Sequence, residues 1–300
     1  MKILRAEHYG MCFGVRDAIA QAEQLASAGP LTILGELVHN PLVRDRLRAL
    51  GAEEGSLEHE KGALSAKVMI TAHGASLVRR KEWAARGYQV ADGTCPLVHH
   101  LHAKLGELVE AGYAPVIIGQ AGHVEVRGLT GDFPEAIVLE SEADISRLPE
   151  APRLGVVAQT TQPIERVRAF VRQIELARPQ AEVRFVDTVC KPTKDRQLAL
   201  QRLIAETELI VVVGGHGSNN TRQLVQTCCA AGRRTLHVER PEELVAQDFA
   251  GVEIVGLTAG TSTLQETVDS VQARLLEFAS NHKAGITDPG NNETSLRSPE

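Results

Sequence analysis

Short apolar runs alternate along this chain with longer stretches whose apolar positions recur at helical spacing. Residues 2–7 read as a strand, followed by a helix through about Ala28 that Gly29-Pro30 stops. Leu31–Gly35 reads as a strand, 41–50 as a helix, and Lys67–Thr71 as a strand followed by a helix; Tyr88–Ala91 then leads into Cys95. A helix over Pro96–Ala111 comes next, closed by Gly112, a residue suited to a helix C-terminus. Strands follow at 114–119 and 153–158, with a short one at 136–139, a helix at 163–177, and Glu182–Val186 leading into Cys190. The last third repeats the order. A helix runs from Thr193, a residue type that caps helices, to about Ala205. Strands follow at 209–213 and 253–257, with a short one at 235–238, and a final helix at 264–280.

The pattern is a threefold internal repeat. Each repeat runs cysteine, helix, apolar strand, polar strand end. Cys12 to His39 is 27 residues (39 − 12), while Cys95 to His123 (123 − 95) and Cys190 to Ser218 (218 − 190) are 28. A second apolar strand then ends near His73, Thr160 or Ser262. Strands alternating with helices predict parallel α/β units, and ligand groups in such folds gather beyond the C-terminal strand ends. The expected organisation is residues 13–95, 96–190, and 191–280 together with an N-terminal strand in 1–12. Residues 281–300 are polar and predicted to be a disordered tail.

Composition narrows the chemistry. Hydrophobic residues make up 43% of the 300 positions but aromatics only 3%, so the core must be built of Val, Ile, Leu and Ala. A formal net charge of −6 argues against nucleic-acid binding by general basic attraction. No apolar run approaches the roughly 20 residues of a membrane-spanning helix. Residues 1–7 are too short and charged for a signal peptide, so a cytoplasmic location is expected. Five cysteines in such a chain point to metal or catalytic use rather than to a disulfide framework.

Cys12, Cys95 and Cys190 sit at equivalent places, each before a helix, where unpaired N–H groups favour thiolate. Buried structural cysteines are the plain alternative. Three thiolates could instead hold a [4Fe–4S] cluster with one iron left open, or zinc together with one His. His39, His73 and His123 each follow an apolar strand and could bind metal, move protons or pair with anionic oxygens. Ser218, Asn220 and Ser262 suit hydrogen bonds to phosphate, and Gly214, Gly215 and Gly217 would admit a ligand to the backbone, although no P-loop signature is present. Glu125, two residues beyond His123, reads as a strand-end carboxyl that could hold a proton near neutral pH if enclosed, or as a solvated one. Thr160 could orient a substrate hydroxyl or cap the next helix. His99, His100 and His102 read as helix-surface or packing residues, and Cys228 and Cys229 as packing residues.

The set Gly10–Val15, Val38-His39-Asn40, Ala72-His73-Gly74, Thr94-Cys95-Pro96, Gly122–Glu125, Gln159-Thr160-Thr161, Cys190–Gln197, Ser218-Asn219-Asn220 and Thr258–Ser262 resembles the 4-hydroxy-3-methylbut-2-enyl diphosphate reductase (LytB/IspH) family, in order, over roughly residues 1–278. The resemblance implies a trefoil of three pseudo-threefold-related α/β units around a central [4Fe–4S] cluster held by Cys12, Cys95 and Cys190. It further implies that His39, His73, His123, Ser218, Asn219, Asn220 and Ser262 bind the diphosphate, that Thr160 meets the substrate hydroxyl, and that Glu125 supplies protons. Two electrons from a ferredoxin- or flavodoxin-type donor, with two protons, would remove the hydroxyl as water and give isopentenyl and dimethylallyl diphosphate, the last step of the methylerythritol phosphate route to isoprenoids. Three positions depart from the family pattern: Met11 replaces the usual aromatic, Asn219 stands where Ser or Gly is frequent, and Leu264 where Pro is common. Two other readings use the same cysteines: a cluster or zinc lyase without net redox, and a non-catalytic iron–sulfur sensor.

Overall fold

The computed structural model describes residues 1–38, 40–59 and 65–284, with the backbone alone at residue 219 and residues 281–284. His39 and residues 285–300 of the predicted tail lie outside the described residues.

In chain order the elements are β1 (Lys2–Arg5), α1 (Phe13–Ser27), β2 (Leu31–Leu34), α2 (Pro41–Ala49), β3 (Ala52–Gly55), β4 (Lys67–Ile70), α3 (Leu77–Ala85) and β5 (Gln89–Asp92). They continue with α4 (Pro96–Glu110), β6 (Ala114–Ile118), α5 (Val124–Asp132), β7 (Ile137–Leu139), β8 (Arg153–Ala158), α6 (Ile164–Ala177) and β9 (Glu182–Phe185). The last set is α7 (Lys191–Glu206), β10 (Leu209–Val213), α8 (Asn219–Ala230), β11 (Arg234–Val238), β12 (Ile254–Ala259) and α9 (Gln265–Ala284).

Three four-stranded sheets result, with orders β3-β2-β4-β5, β7-β6-β8-β9 and β11-β10-β12-β1, and every strand pair is parallel. The three orders are the same once β1 is counted as the fourth strand of the last sheet. Parallel sheets covered by helices on both faces need strands that are apolar throughout. β10, Leu-Ile-Val-Val-Val, is buried at every position, and β2 likewise. Separate clusters built mainly of aliphatic residues fill each unit, with Phe170 and Phe249 among them.

The edge strands are the least apolar. β3 is Ala-Glu-Glu-Gly with both glutamates exposed, and the hydrophobic pattern alone does not predict it. Two helix assignments also differ from expectation. Val124 and Glu125, read as part of a strand end, open helix α5, and α7 begins at Lys191 with Cys190 at its cap, so Thr193 lies inside the first turn. Helix α9 continues to Ala284, four residues beyond its predicted end.

Candidate active site

In each sheet the crossovers leave the first strand in opposite directions, which creates a switch point between β2 and β4, β6 and β8, and β10 and β12. Crevices at such points, beyond the C-terminal strand ends, are where open α/β sheets bind ligands. Polar residues emerge there: Asn40 after β2, and the predicted His73 after β4, His123 after β6, Thr160 after β8, Ser218 after β10 and Ser262 after β12.

The cysteines come from the outer strand of each sheet. Cys12, Cys95 and Cys190 follow β1, β5 and β9, and each is the extended residue immediately before a helix, α1, α4 and α7. None caps its helix through sulfur. Cys95 N–H donates to Ala72 O and Cys190 N–H to Thr160 O, both at 3.0 Å, so two of the loops are pinned to the same register on the neighbouring strand end. By that register Thr160 corresponds to Ala72, one position short of the His73 equivalence expected from spacing. All three are half-buried and form no disulfide. A Cβ placed on Gly14, in the first turn of α1, would lie 2.5 Å from Cys95 Sγ, which shows how closely the Cys12 helix and the Cys95 sulfur approach.

Burial pushes the Cys95 and Cys190 thiols up, beyond what the N–H groups of the following helix turn pull down, and the charges of Cys12 and Glu125 push in the same direction. At these two positions desolvation outweighs the pull of the helix start. Buried sulfurs that oppose one another's ionisation become anions together only around a cation, and three thiols from three units with no carboxylate among them form a soft donor set. This set fits an iron–sulfur cluster. Among the described residues no group of three His, Cys, Asp or Glu is placed to hold a metal ion.

Glu125 sits in the first turn of α5 and is 1% exposed. Its Oε1 accepts the Thr160 backbone N–H at 2.6 Å, and its Oε2 lies 2.9 Å from Thr160 Oγ1. Desolvation raises its pKa to about 7 against the opposing pull of those two bonds. His123 caps the same helix by accepting the Glu125 N–H on Nδ1 at 3.2 Å. A neutral ring in that role carries its proton on Nε2. The His123 ring meets His73 edge-on, with centroids 5.4 Å apart.

The helix caps restore the repeat. Asn40, His123 and Ser218 are the N-caps of α2, α5 and α8. Each lies 28 residues after its cysteine (40 − 12, 123 − 95, 218 − 190), so Asn40 rather than His39 is the structural counterpart of His123. Ser218 Oγ accepts the Thr221 N–H, and Asn220 Oδ1 accepts the Thr261 N–H at 3.0 Å. Asn40 accepts from Leu42 and Val43 and donates from Nδ2 to Ser262 O at 2.8 Å, which ties the first unit to the third. Ser262 is 7% exposed, and its hydroxyl has no hydrogen-bond partner among the described residues.

Comparison with known proteins gives this arrangement a family. The LytB protein family model matches residues 3–276. This chain belongs to the LytB family. A 4-hydroxy-3-methylbut-2-enyl diphosphate reductase of Geobacter sulfurreducens is 35% identical over 285 residues, covering 94% of this chain and all of the relative. The Aquifex aeolicus protein of the same name is 35% identical over 282 residues, covering 92% of this chain and 96% of its own. Among solved structures, an (E)-4-hydroxy-3-methyl-but-2-enyl diphosphate reductase superposes with TM-score 0.69 at 34% identity, covering 92% of this chain and 99% of the other. The E-1-hydroxy-2-methyl-but-2-enyl-4-diphosphate reductase of Plasmodium falciparum superposes with TM-score 0.83 at 25% identity, covering 91% and 87%.

Other predicted residues of the LytB chain make contacts of their own. His99 pairs with Asp92 at 3.1 Å and His102 faces Asp132 at 3.5 Å, so the two imidazoles address different carboxylates. Cys228 is fully buried in an aliphatic cluster, whereas Cys229 is exposed and does not pack as expected. Met11 and Leu264, two of the three departures from the family pattern, pack against the same core cluster of the first unit. Sequence reasoning assigned no role to Asn40, Gly14 or Arg196. Asn40 carried a readable signal, since Asn followed by Pro is a helix start. The other two depend on contacts between segments far apart in the chain.

Proposed function

We propose that this chain is a 4-hydroxy-3-methylbut-2-enyl diphosphate reductase, using two electrons and two protons to replace the allylic hydroxyl by hydrogen and release water, with isopentenyl and dimethylallyl diphosphate as products. The observation that carries this reading is the Glu125–Thr160 couple: a buried acid poised near neutrality, in electrostatic contact with two of three thiols delivered by three α/β units. A sensor has no use for a proton donor at that place.

Cys12, Cys95 and Cys190 would hold one [4Fe–4S] cluster, which when bound supplies electrons singly and a Lewis acid beside the C–O bond. The chain supplies the rest. Thr160 Oγ1 meets the substrate hydroxyl and passes it the proton held on Glu125 Oε2. His73, His123, Ser218, Asn220 and Ser262 bind the diphosphate as a ring of donors around the strand ends, and His39 and Asn219 are assigned to the same ligand. The buried Ser262 hydroxyl, which has no partner among the described residues, supports a ligand oxygen at that position. Burial of the site keeps water from competing for the proton. The electron donor would be of ferredoxin or flavodoxin class, in the cytoplasm. Among the described residues no helix is long and apolar enough to cross a membrane.

Anaerobic purification with iron and sulfide quantitation, followed by reduction of the allylic diphosphate with an artificial one-electron donor, tests this. The expected result is an iron-loaded protein that consumes substrate only when reductant is present. Turnover without reductant would point to a lyase. A chain that binds no iron after reconstitution, or full activity in Cys95→Ser, would sink the reading.

A further inference from the structure

Arg196, in the second turn of α7, reaches from the third cysteine segment to the first. It is 9% exposed. Its Nη2 donates to Gly10 O at 2.8 Å and its Nη1 to Pro192 O at 3.1 Å. Gly10 lies two residues before Cys12 and Pro192 two residues after Cys190, so the guanidinium joins the first and third cysteine segments across the chain. Gly10 adopts a positive φ of 66°, a turn that costs glycine little.

The contacts leave the charge unanswered. Nε is buried and has no hydrogen-bond partner among the described residues. No carboxylate among them pairs with the guanidinium. Asp195, its sequence neighbour, pairs instead with Lys191 at 2.5 Å. The charges that act on Arg196 are Cys12 and Cys190 first and Asp195 after them, against a burial that pushes its pKa down. Two carbonyls orient a guanidinium but do not neutralise it, and an unpaired buried cation is strongly disfavoured. The arrangement is balanced only when an anion stands beside the two sulfurs.

We propose that Arg196 is the built-in counter-charge of the iron–sulfur cluster, raising its reduction potential while fastening the Cys12 and Cys190 loops together. This rests on the reading that Cys12, Cys95 and Cys190 hold that cluster. With three thiolates the cluster is anionic in both oxidation states and gains one further negative charge on reduction. A fixed positive charge in a low-dielectric surrounding favours the more negative state. The effect is confined to the potential and to retention of the cluster, since Arg196 donates no proton and meets no substrate group in this arrangement.

The test uses the full chain, reconstituted anaerobically, as wild type, Arg196→Gln, Arg196→Met and Arg196→Lys. Iron and sulfide per chain, circular dichroism, and a reductive titration followed by electron paramagnetic resonance are measured for each. The neutral variants are expected to shift the reduced-to-oxidised ratio at fixed potential about tenfold toward oxidised, a fall of about 59 mV for a one-electron couple. Arg196→Lys keeps the charge and is expected to shift it less than the neutral variants. A folded, iron-loaded neutral variant that titrates with wild type overturns the proposal, as does a Lys variant that shifts as far as the neutral ones. If neither neutral variant folds, the guanidinium belongs to the fold and the claim on the potential is dropped. Failure of the wild type itself to take up iron fails the parent reading instead, and the two outcomes are distinct.

Discussion

Thr160 engages both carboxyl oxygens of Glu125, one through its backbone N–H and the other through its hydroxyl. The N–H bond fixes the carboxyl in place whatever its protonation state. The hydroxyl can accept a proton from Oε2 or donate one to it, so it is the only one of the two contacts that can pass a proton onward. Thr160→Val keeps the N–H and removes that path. Reductant-driven turnover at pH 7 is expected to fall by about two to four orders of magnitude, the usual span for loss of general acid catalysis. Thr160→Ser should retain most of the rate. Turnover retained in Thr160→Val and lost in Thr160→Ser would show that the methyl group, not the hydroxyl, matters.

The burial of Glu125 also has a signature in stability. Its folded pKa, about 7, lies above the ordinary carboxyl value of 4.5. Between those values the folded protein binds more protons than the unfolded chain. The stability that Glu125 contributes is thus complete below about pH 4.5 and is lost as pH rises through about 7. Urea denaturation of the iron-free protein at pH 5 and pH 7.5 should show wild type losing ground to Glu125→Gln as pH rises, by on the order of 3 kcal/mol at most. Parallel pH profiles for the two proteins would contradict the enclosed-acid assignment.

The Glu125 case also shows where the sequence was legible and where it was not. The three cysteines, the alternation of strand and helix and the strand-end ring could be read because they repeat locally. The residue types of β10 leave little choice once both faces are covered. By contrast, β3 was invisible because at this edge strand Glu53 and Glu54, which point to opposite faces, both reach solvent. His123 and Glu125 were placed on a strand end because helix α5 starts without Ser, Thr, Asp or Asn, and a His ring nitrogen does the capping instead. The raised thiols of Cys95 and Cys190 reflect burial, a tertiary quantity that spacing does not carry. Arg196 and Gly14 matter through partners 186 and 81 residues away (196 − 10 and 95 − 14).

Gly14 offers a clean separation of helix stability from site geometry. Within a helix, Ala is favoured over Gly by about 1 kcal/mol, so Gly14→Ala should stabilise isolated α1. Its Cβ, however, would stand 2.5 Å from Cys95 Sγ and 3.1 Å from Cys95 Cβ. The sulfur must move. Gly14→Ala is therefore expected to keep its helical circular dichroism and melt within a few degrees of wild type when iron-free, yet to bind markedly less iron. Iron retention equal to wild type would mean that Cys95 has more freedom than its packing indicates.

Ser218 and Ser262 are both buried serines at the strand ends of the third unit, but only one has work to do before a ligand arrives. Ser218 Oγ accepts the Thr221 N–H at the start of α8, and loss of such a cap costs about 1 kcal/mol. Ser262 Oγ has no partner among the described residues, so its removal deletes an unsatisfied polar group rather than a bond. Ser218→Ala should lower the melting temperature of the ligand-free protein, whereas Ser262→Ala should leave it unchanged or raise it. Calorimetric titration with inorganic pyrophosphate should show weaker binding for both variants. The informative result is Ser262→Ala, because weaker binding without a loss of stability separates a ligand contact from a structural one. Unaltered pyrophosphate affinity in that variant would remove Ser262 from the diphosphate site.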